Sequence, residues 1–143
     1  MRYLLDVNVL IALIDPAHIY HDAAHEWFSS VGSKSWATCP ITENSVLRIV
    51  GHSRYPNSPG APVAVIKSLT GLIELPGHEF WADSVSLLDL KRVNAKRLLS
   101  SEQLTDTYLL ALASSRGGRL ATFDRRIVAD AVTGGKQAIH LIQ

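Results

Sequence analysis

From Tyr3 to Ile14 the sequence YLLDVNVLIALI is apolar at every position except Asp6 and Asn8. A run of this length exceeds a single strand, which typically spans about 4–8 residues. An ionised carboxylate among apolar side chains also costs several kcal/mol unless something compensates it. Both constraints are met if the chain breaks at Asp6. Arg2 to Leu5 then forms a buried strand, Asp6 sits in a tight turn, and Val7 to Ile14 forms a short helix stopped by Asp15-Pro16. What compensates Asp6 must come from elsewhere in the chain.

The same alternation continues. His18 to Ser30 carries a helical stripe of Ala23, Ala24, Trp27 and Phe28. Ser35 to Thr38 reads as a second strand, and Pro40 suits the first turn of a helix that ends near Gly51. His52 to Pro62 is a Pro-, Gly- and Ser-rich loop, in which Tyr55 is a candidate base-stacking residue. The pattern predicts a helix over Val63 to Thr70, a third strand at Ile73-Glu74-Leu75, and a helix or helical turn over Phe80 to Leu90. Ser101 to Ser115 is the strongest helix, closed by Gly117-Gly118. Arg119 to Phe123 and Ala138 to Ile142 are the last two strands. Strands alternating with helices predict an α/β fold with a mostly parallel sheet of about five strands, and ligands in such sheets bind beyond the carboxyl ends of the strands.

With 143 residues, 47% of them hydrophobic and 19% charged, the chain is expected to form one globular domain over residues 1–143. A net charge of +1 points to no particular partner. One cysteine, Cys39, excludes an intrachain disulfide. The N-terminus lacks the basic and then unbroken apolar pattern of a signal peptide, and no stretch is long enough to span a membrane. The expectation is a cytoplasmic protein.

Four of the 13 acids share a type of location. Asp6 follows the first strand. Glu43 lies in the first turns of the helix after the second strand, Asp106 in those of the strongest helix. Asp124 follows the fourth strand in LATFD. Each alone also reads as a capping, helix-dipole or turn residue. Together they put four carboxylates on one rim of the sheet without a dedicated cation for each. Gathered there, they would raise each other's pKa, and a hard divalent cation with oxygen ligands, Mg²⁺ or Mn²⁺, would relieve that repulsion.

Here the sequence resembles the PIN-domain ribonucleases, in particular the VapC-like toxins of toxin–antitoxin pairs. LLDVNVLIAL looks like that family's first-strand signature, ITENSVLRI like its third-helix motif, LTDTYLLALA like its later helix motif, and LATFDRR like its last motif. The resemblance covers nearly the whole chain. It implies a PIN-like three-layer α/β/α domain and a Mg²⁺- or Mn²⁺-dependent endoribonuclease, acting on a specific transfer or ribosomal RNA. Asp6 and Asp106 would be direct metal ligands. Glu43 and Asp124 would bind through water, complete a second site, or orient the attacking water. Asn8 and Thr122 would support the carboxylates, and Arg48, Arg54, Arg125 and Arg126 are candidate phosphate contacts. The same resemblance implies a VapB-like antitoxin as inhibitor, a homodimer, and promoter DNA bound only through the antitoxin complex.

Other readings are weaker. A phosphatase of the haloacid dehalogenase type needs an Asp and a Thr where this chain has Asn8 and Leu10. A non-catalytic PIN-like binding or scaffold module would be expected to lose some of the four acids. His18, His21 and His25 could share a helix face, but a structural zinc site usually draws on thiolates, and only one exists.

Overall fold

The computed structural model describes residues 1–143. Five parallel strands form one sheet: β1 (Tyr3–Leu5), β2 (Trp36–Thr38), β3 (His78–Phe80), β4 (Arg119–Thr122) and β5 (Ile139–Leu141). Their spatial order is β3-β2-β1-β4-β5, so β1 is central. The helices are α1 (Val7–Ile14), α2 (His21–Ser30), α3 (Pro40–Val50), α4 (Pro62–Ile73), α5 (Leu104–Ser115) and the short α6 (Gly135–Ala138).

The two-residue period of the strands divides the core. Leu5, Trp36 and Ala121 face one side and pack with α1, α2, α3 and α4. Leu4, Ala37 and Leu120 face the other and pack with α5, Ala138, Trp81 and Val93. Strands buried on both faces must be apolar at successive positions, and Leu4 and Leu5 are both wholly buried. Two layers of helix therefore sandwich the sheet. No helix is long and apolar enough to cross a membrane.

The third strand differs from the sequence expectation. Ile73 ends α4, which runs through Gly71, and Glu74 is its C-cap. The strand lies at His78–Phe80, where two of three residues are exposed. A short edge strand carries almost no apolar signal, whereas a helix end with Ile73 and Leu75 mimics one. What fixes β3 is polar. Arg2 reaches across from β1 to donate to the Gly77 carbonyl at 2.7 Å and pairs with Glu79 at 3.5 Å. Gly77 has φ +92°, and a Cβ there would lie 2.3 Å from the Ser33 carbonyl oxygen, so only glycine fits this turn. Phe80 to Leu90, expected to be helical, is the end of β3 followed by irregular chain.

Candidate functional site

The strand-to-helix break at Asp6 is present. Asp6 has extended backbone and is the N-cap of α1. Its side chain is only 5% exposed. Oδ1 accepts from the Val7 N–H at 2.8 Å, and Oδ2 accepts from the Thr122 hydroxyl at 2.7 Å. Thr122 in turn accepts from the Asp124 N–H at 3.0 Å. One hydroxyl thus joins the end of β1 to the turn after β4, because β1 and β4 are paired in register at Leu5 and Ala121.

Burial raises the Asp6 pKa above its ordinary 3.8. The bonds from Thr122 and Val7 oppose the rise and the neighbouring charge of Asp124 adds to it. Asp106, in the first turn of α5, is pushed up to about 6 by burial, then by Asp6 and Asp124, with Arg126 opposing. These three aspartates are therefore electrostatic neighbours at the carboxyl ends of β1 and β4. The only close ion pair among them joins Arg126 to Asp124 at 3.2 Å. Asp6 and Asp106 have none.

Glu43 stands on the same rim but in separate company. Its carboxylate accepts from the Thr38 hydroxyl at 2.6 Å, and Thr38 also bonds the His78 ring at 2.7 Å. The single Thr38 proton goes to Glu43, so His78 Nε2 is the donor to Thr38 Oγ1. Burial lowers the His78 pKa, and Glu43 is the first of its charged neighbours. Neither Thr38 nor His78 was prominent in the sequence. Thr38 meets Glu43 locally, from the end of β2 to the first turn of α3, whereas His78 joins them only because β3 pairs with β2 at Trp36 and His78.

The remaining candidates divide. Arg125 and Arg126 are exposed and line a hollow of about 410 Å³ beside Asp124, together with Asn8, Tyr20 and Phe123. Asn8 is exposed and makes no side-chain hydrogen bond to the carboxylates. Arg48 sits in the last turn of α3, and Arg54 follows that helix. Both stand toward the end of α3 opposite to Glu43, and neither makes an ion pair with the acids. Tyr55, suggested as a base-stacking residue, is committed elsewhere. Its hydroxyl donates to Asp15 at the end of α1, which also accepts from Asn57 at 2.6 Å and the Ala17 N–H at 2.9 Å. The histidines form no zinc site. His21 and His25 bond the Ala12 and Leu13 carbonyls at the end of α1.

The donor set suits a hard cation. Three carboxylates, two of them with raised pKa values and outside any close ion pair, offer oxygen ligands only. No group of three or more His, Cys, Asp or Glu side chains is arranged to hold a metal ion. Mg²⁺ needs no such group, since it keeps several waters and uses one or two carboxylates, and Asp6 and Asp106 are the pair that could supply them.

The PIN domain family matches residues 3–132 of the chain. Ribonuclease VapC44 of Mycobacterium tuberculosis is 45% identical over 134 residues, 94% of this chain and 94% of its own length. Among solved structures, M. tuberculosis VapC20, described as a sarcin-ricin loop cleaving toxin, matches with a TM-score of 0.64 at 11% identity, over 92% of this chain and 96% of its own. VapBC2 from Rickettsia felis, bound to a DNA fragment from its promoter, matches with a TM-score of 0.61 at 13% identity over all of both chains. These two likenesses are of fold.

Proposed function

The chain belongs to the PIN-domain family, and on that premise we propose how its rim of acids works. The protein is an endoribonuclease of the VapC kind, the toxin half of a toxin–antitoxin pair, and it hydrolyses RNA phosphodiester bonds with the help of Mg²⁺ or Mn²⁺. The observation that carries this reading is the mutual influence of Asp6, Asp106 and Asp124, with no close ion pair to the first two.

Asp6 and Asp106 hold the cation. When bound, it supplies positive charge that polarises a phosphoryl oxygen and eases deprotonation of the attacking water. Thr122 favours the ionised form of Asp6 and aims it, since its hydroxyl is spent on the carboxylate. Asp124, placed by the Thr122 bond to its N–H, orients the water for in-line attack. Glu43, steadied by Thr38, takes part through water or at a second site. Arg125 and Arg126 contact RNA phosphates and offset the acidic rim. The RNA is a specific transfer or ribosomal species. A VapB-like antitoxin inhibits the enzyme, the toxin is a homodimer in the cytoplasm, and promoter DNA is bound only by the complex with antitoxin.

Purified protein should be incubated with total cellular RNA in Mg²⁺, in Mn²⁺ and in chelator, beside Asp6→Asn and Asp106→Asn checked for folding. Discrete metal-dependent cuts by the wild type and none by the variants are expected. Equal cutting by wild type and variants would place the activity elsewhere.

A further inference from the structure

Beside the three aspartates lies a pair of stacked aromatic rings that the proposed chemistry leaves unused. Tyr20, just before α2, and Phe123, between Thr122 and Asp124, have ring centroids 4.6 Å apart and planes 13° from parallel. Tyr20 is 44% exposed, whereas Phe123 is partly buried against the core. Phe123 therefore backs the stack and Tyr20 is its exposed ring, with the His18 ring also nearby at 5.9 Å and tilted by 41°. Both rings line the hollow of about 410 Å³ whose other walls are Asn8, Asp124, Arg125 and Arg126. Its volume is within the roughly 300–1,000 Å³ of small-ligand pockets.

We propose that Tyr20, backed by Phe123, is a stacking platform for one unpaired nucleobase of the RNA, next to the phosphate that is cut. This rests on the ribonuclease reading of the neighbouring acids. The chemistry of the hollow is that of a nucleotide. An aromatic face takes the base, Arg125 and Arg126 take backbone phosphate, and the Asn8 amide offers both a donor and an acceptor to a base edge. A base inside a duplex is stacked on both faces and cannot reach such a platform, so the subsite selects single-stranded or extruded nucleotides. The platform is also pre-organised. The Tyr20 N–H donates to His18 Nδ1 at 3.0 Å, its carbonyl accepts from Ala24 at 2.8 Å, and its ring is held by Phe123. Little side-chain freedom is left to lose when a base arrives.

A purely structural role for the stack, clipping α2 to the end of β4, uses only the face that Tyr20 shares with Phe123. The two roles separate on RNA. The probe is a fluorescein-labelled single-stranded RNA of about 12 nucleotides and mixed sequence, compared with its duplex by anisotropy in chelator. Base–aromatic stacking predicts that Tyr20→Leu loses about 5- to 150-fold in single-strand affinity. Tyr20→Trp, which keeps a π face, should bind as well as wild type or better, and duplex binding should not change. Removing single bases in turn should reproduce the loss at one position in wild type and add nothing there in Tyr20→Leu. The proposal is overturned if folded Tyr20→Leu binds single strands like wild type, or if wild type does not prefer single strands. It is overturned too if Tyr20→Leu weakens only the binding of a protein partner. If wild type cuts RNA and Tyr20→Leu cuts with unchanged KM, the platform fails and the nuclease reading stands. If wild type cuts nothing yet Tyr20 governs single-strand affinity, the nuclease reading fails and the platform stands.

Discussion

Replacing Asp106 with Asn should stabilise the metal-free protein at neutral pH while abolishing its response to metal. The Asp106 carboxyl is raised from 3.8 to about 6 by burial and by the charges of Asp6 and Asp124. Between those values the folded chain holds a proton that the unfolded chain has released. Folding then takes up a proton, and stability falls as pH rises through this window. The rise of roughly two units sets a ceiling of about 3 kcal/mol at about 1.36 kcal/mol per unit, and for a partly exposed carboxyl solvent screening reduces this to about 1–1.5 kcal/mol. Asn carries no charge and escapes the loss. In chelator at about pH 7.5 the variant should melt about 3–6 °C above wild type, and by about pH 4 the two should converge. Saturating Mn²⁺ should reverse the order, adding about 2.7 kcal/mol to wild type at a hundredfold excess over Kd and nothing to the variant. Thermal unfolding with and without chelator reads all of this. A variant less stable than wild type at neutral pH, or a difference that does not change with pH, would refute the electrostatic argument.

Thr122→Val keeps shape but takes the donor from Asp6 and the acceptor from the Asp124 N–H. The Asp6 pKa should rise further and Mn²⁺ affinity should fall about 10- to 100-fold, measured by calorimetric titration. Tyr55→Phe should cost about 1–2 kcal/mol in urea unfolding near neutral pH. Burial alone would raise the Asp15 pKa, but bonds from Tyr55, Asn57 and the Ala17 N–H, with the charge of His18, hold it below 3.8. That stability is present above the unfolded pKa and is lost as pH falls through the folded one, so the gap between wild type and variant should narrow on acidification. Gly77→Ala should cost about 2 kcal/mol or more, because the turn needs positive φ and the added Cβ meets the Ser33 carbonyl; denaturant midpoints would show it.

Much of this was legible in the residues because it is local. The apolar run broken by Asp6 dictates a strand, a turn and a helix. Leu4 and Leu5 together require a strand buried on both faces, hence a parallel sheet. A carboxylate after a strand or in the first turn of a helix lies on the ligand-binding rim of such a sheet. What was hidden depends on pairings between segments far apart in sequence. His78 reaches Thr38 and Glu43 only through the β2–β3 register, and its strand is too short and exposed to leave an apolar pattern. Tyr20 and Phe123 look unremarkable in sequence and become a stack only when the turn after β4 meets the start of α2.

The claim on which the rest depends is that Asp6 and Asp106 share a divalent cation. A Mn²⁺ titration followed by electron paramagnetic resonance tests it without any need for the RNA target. Wild type, Asp6→Asn and Asp106→Asn should be compared near neutral pH and at about pH 5, below the raised Asp106 pKa. The account predicts saturable binding by wild type, weaker at the lower pH because protons compete for the same oxygens, and loss of binding in both variants. Binding that survives either substitution, or that is the same at both pH values, would contradict it.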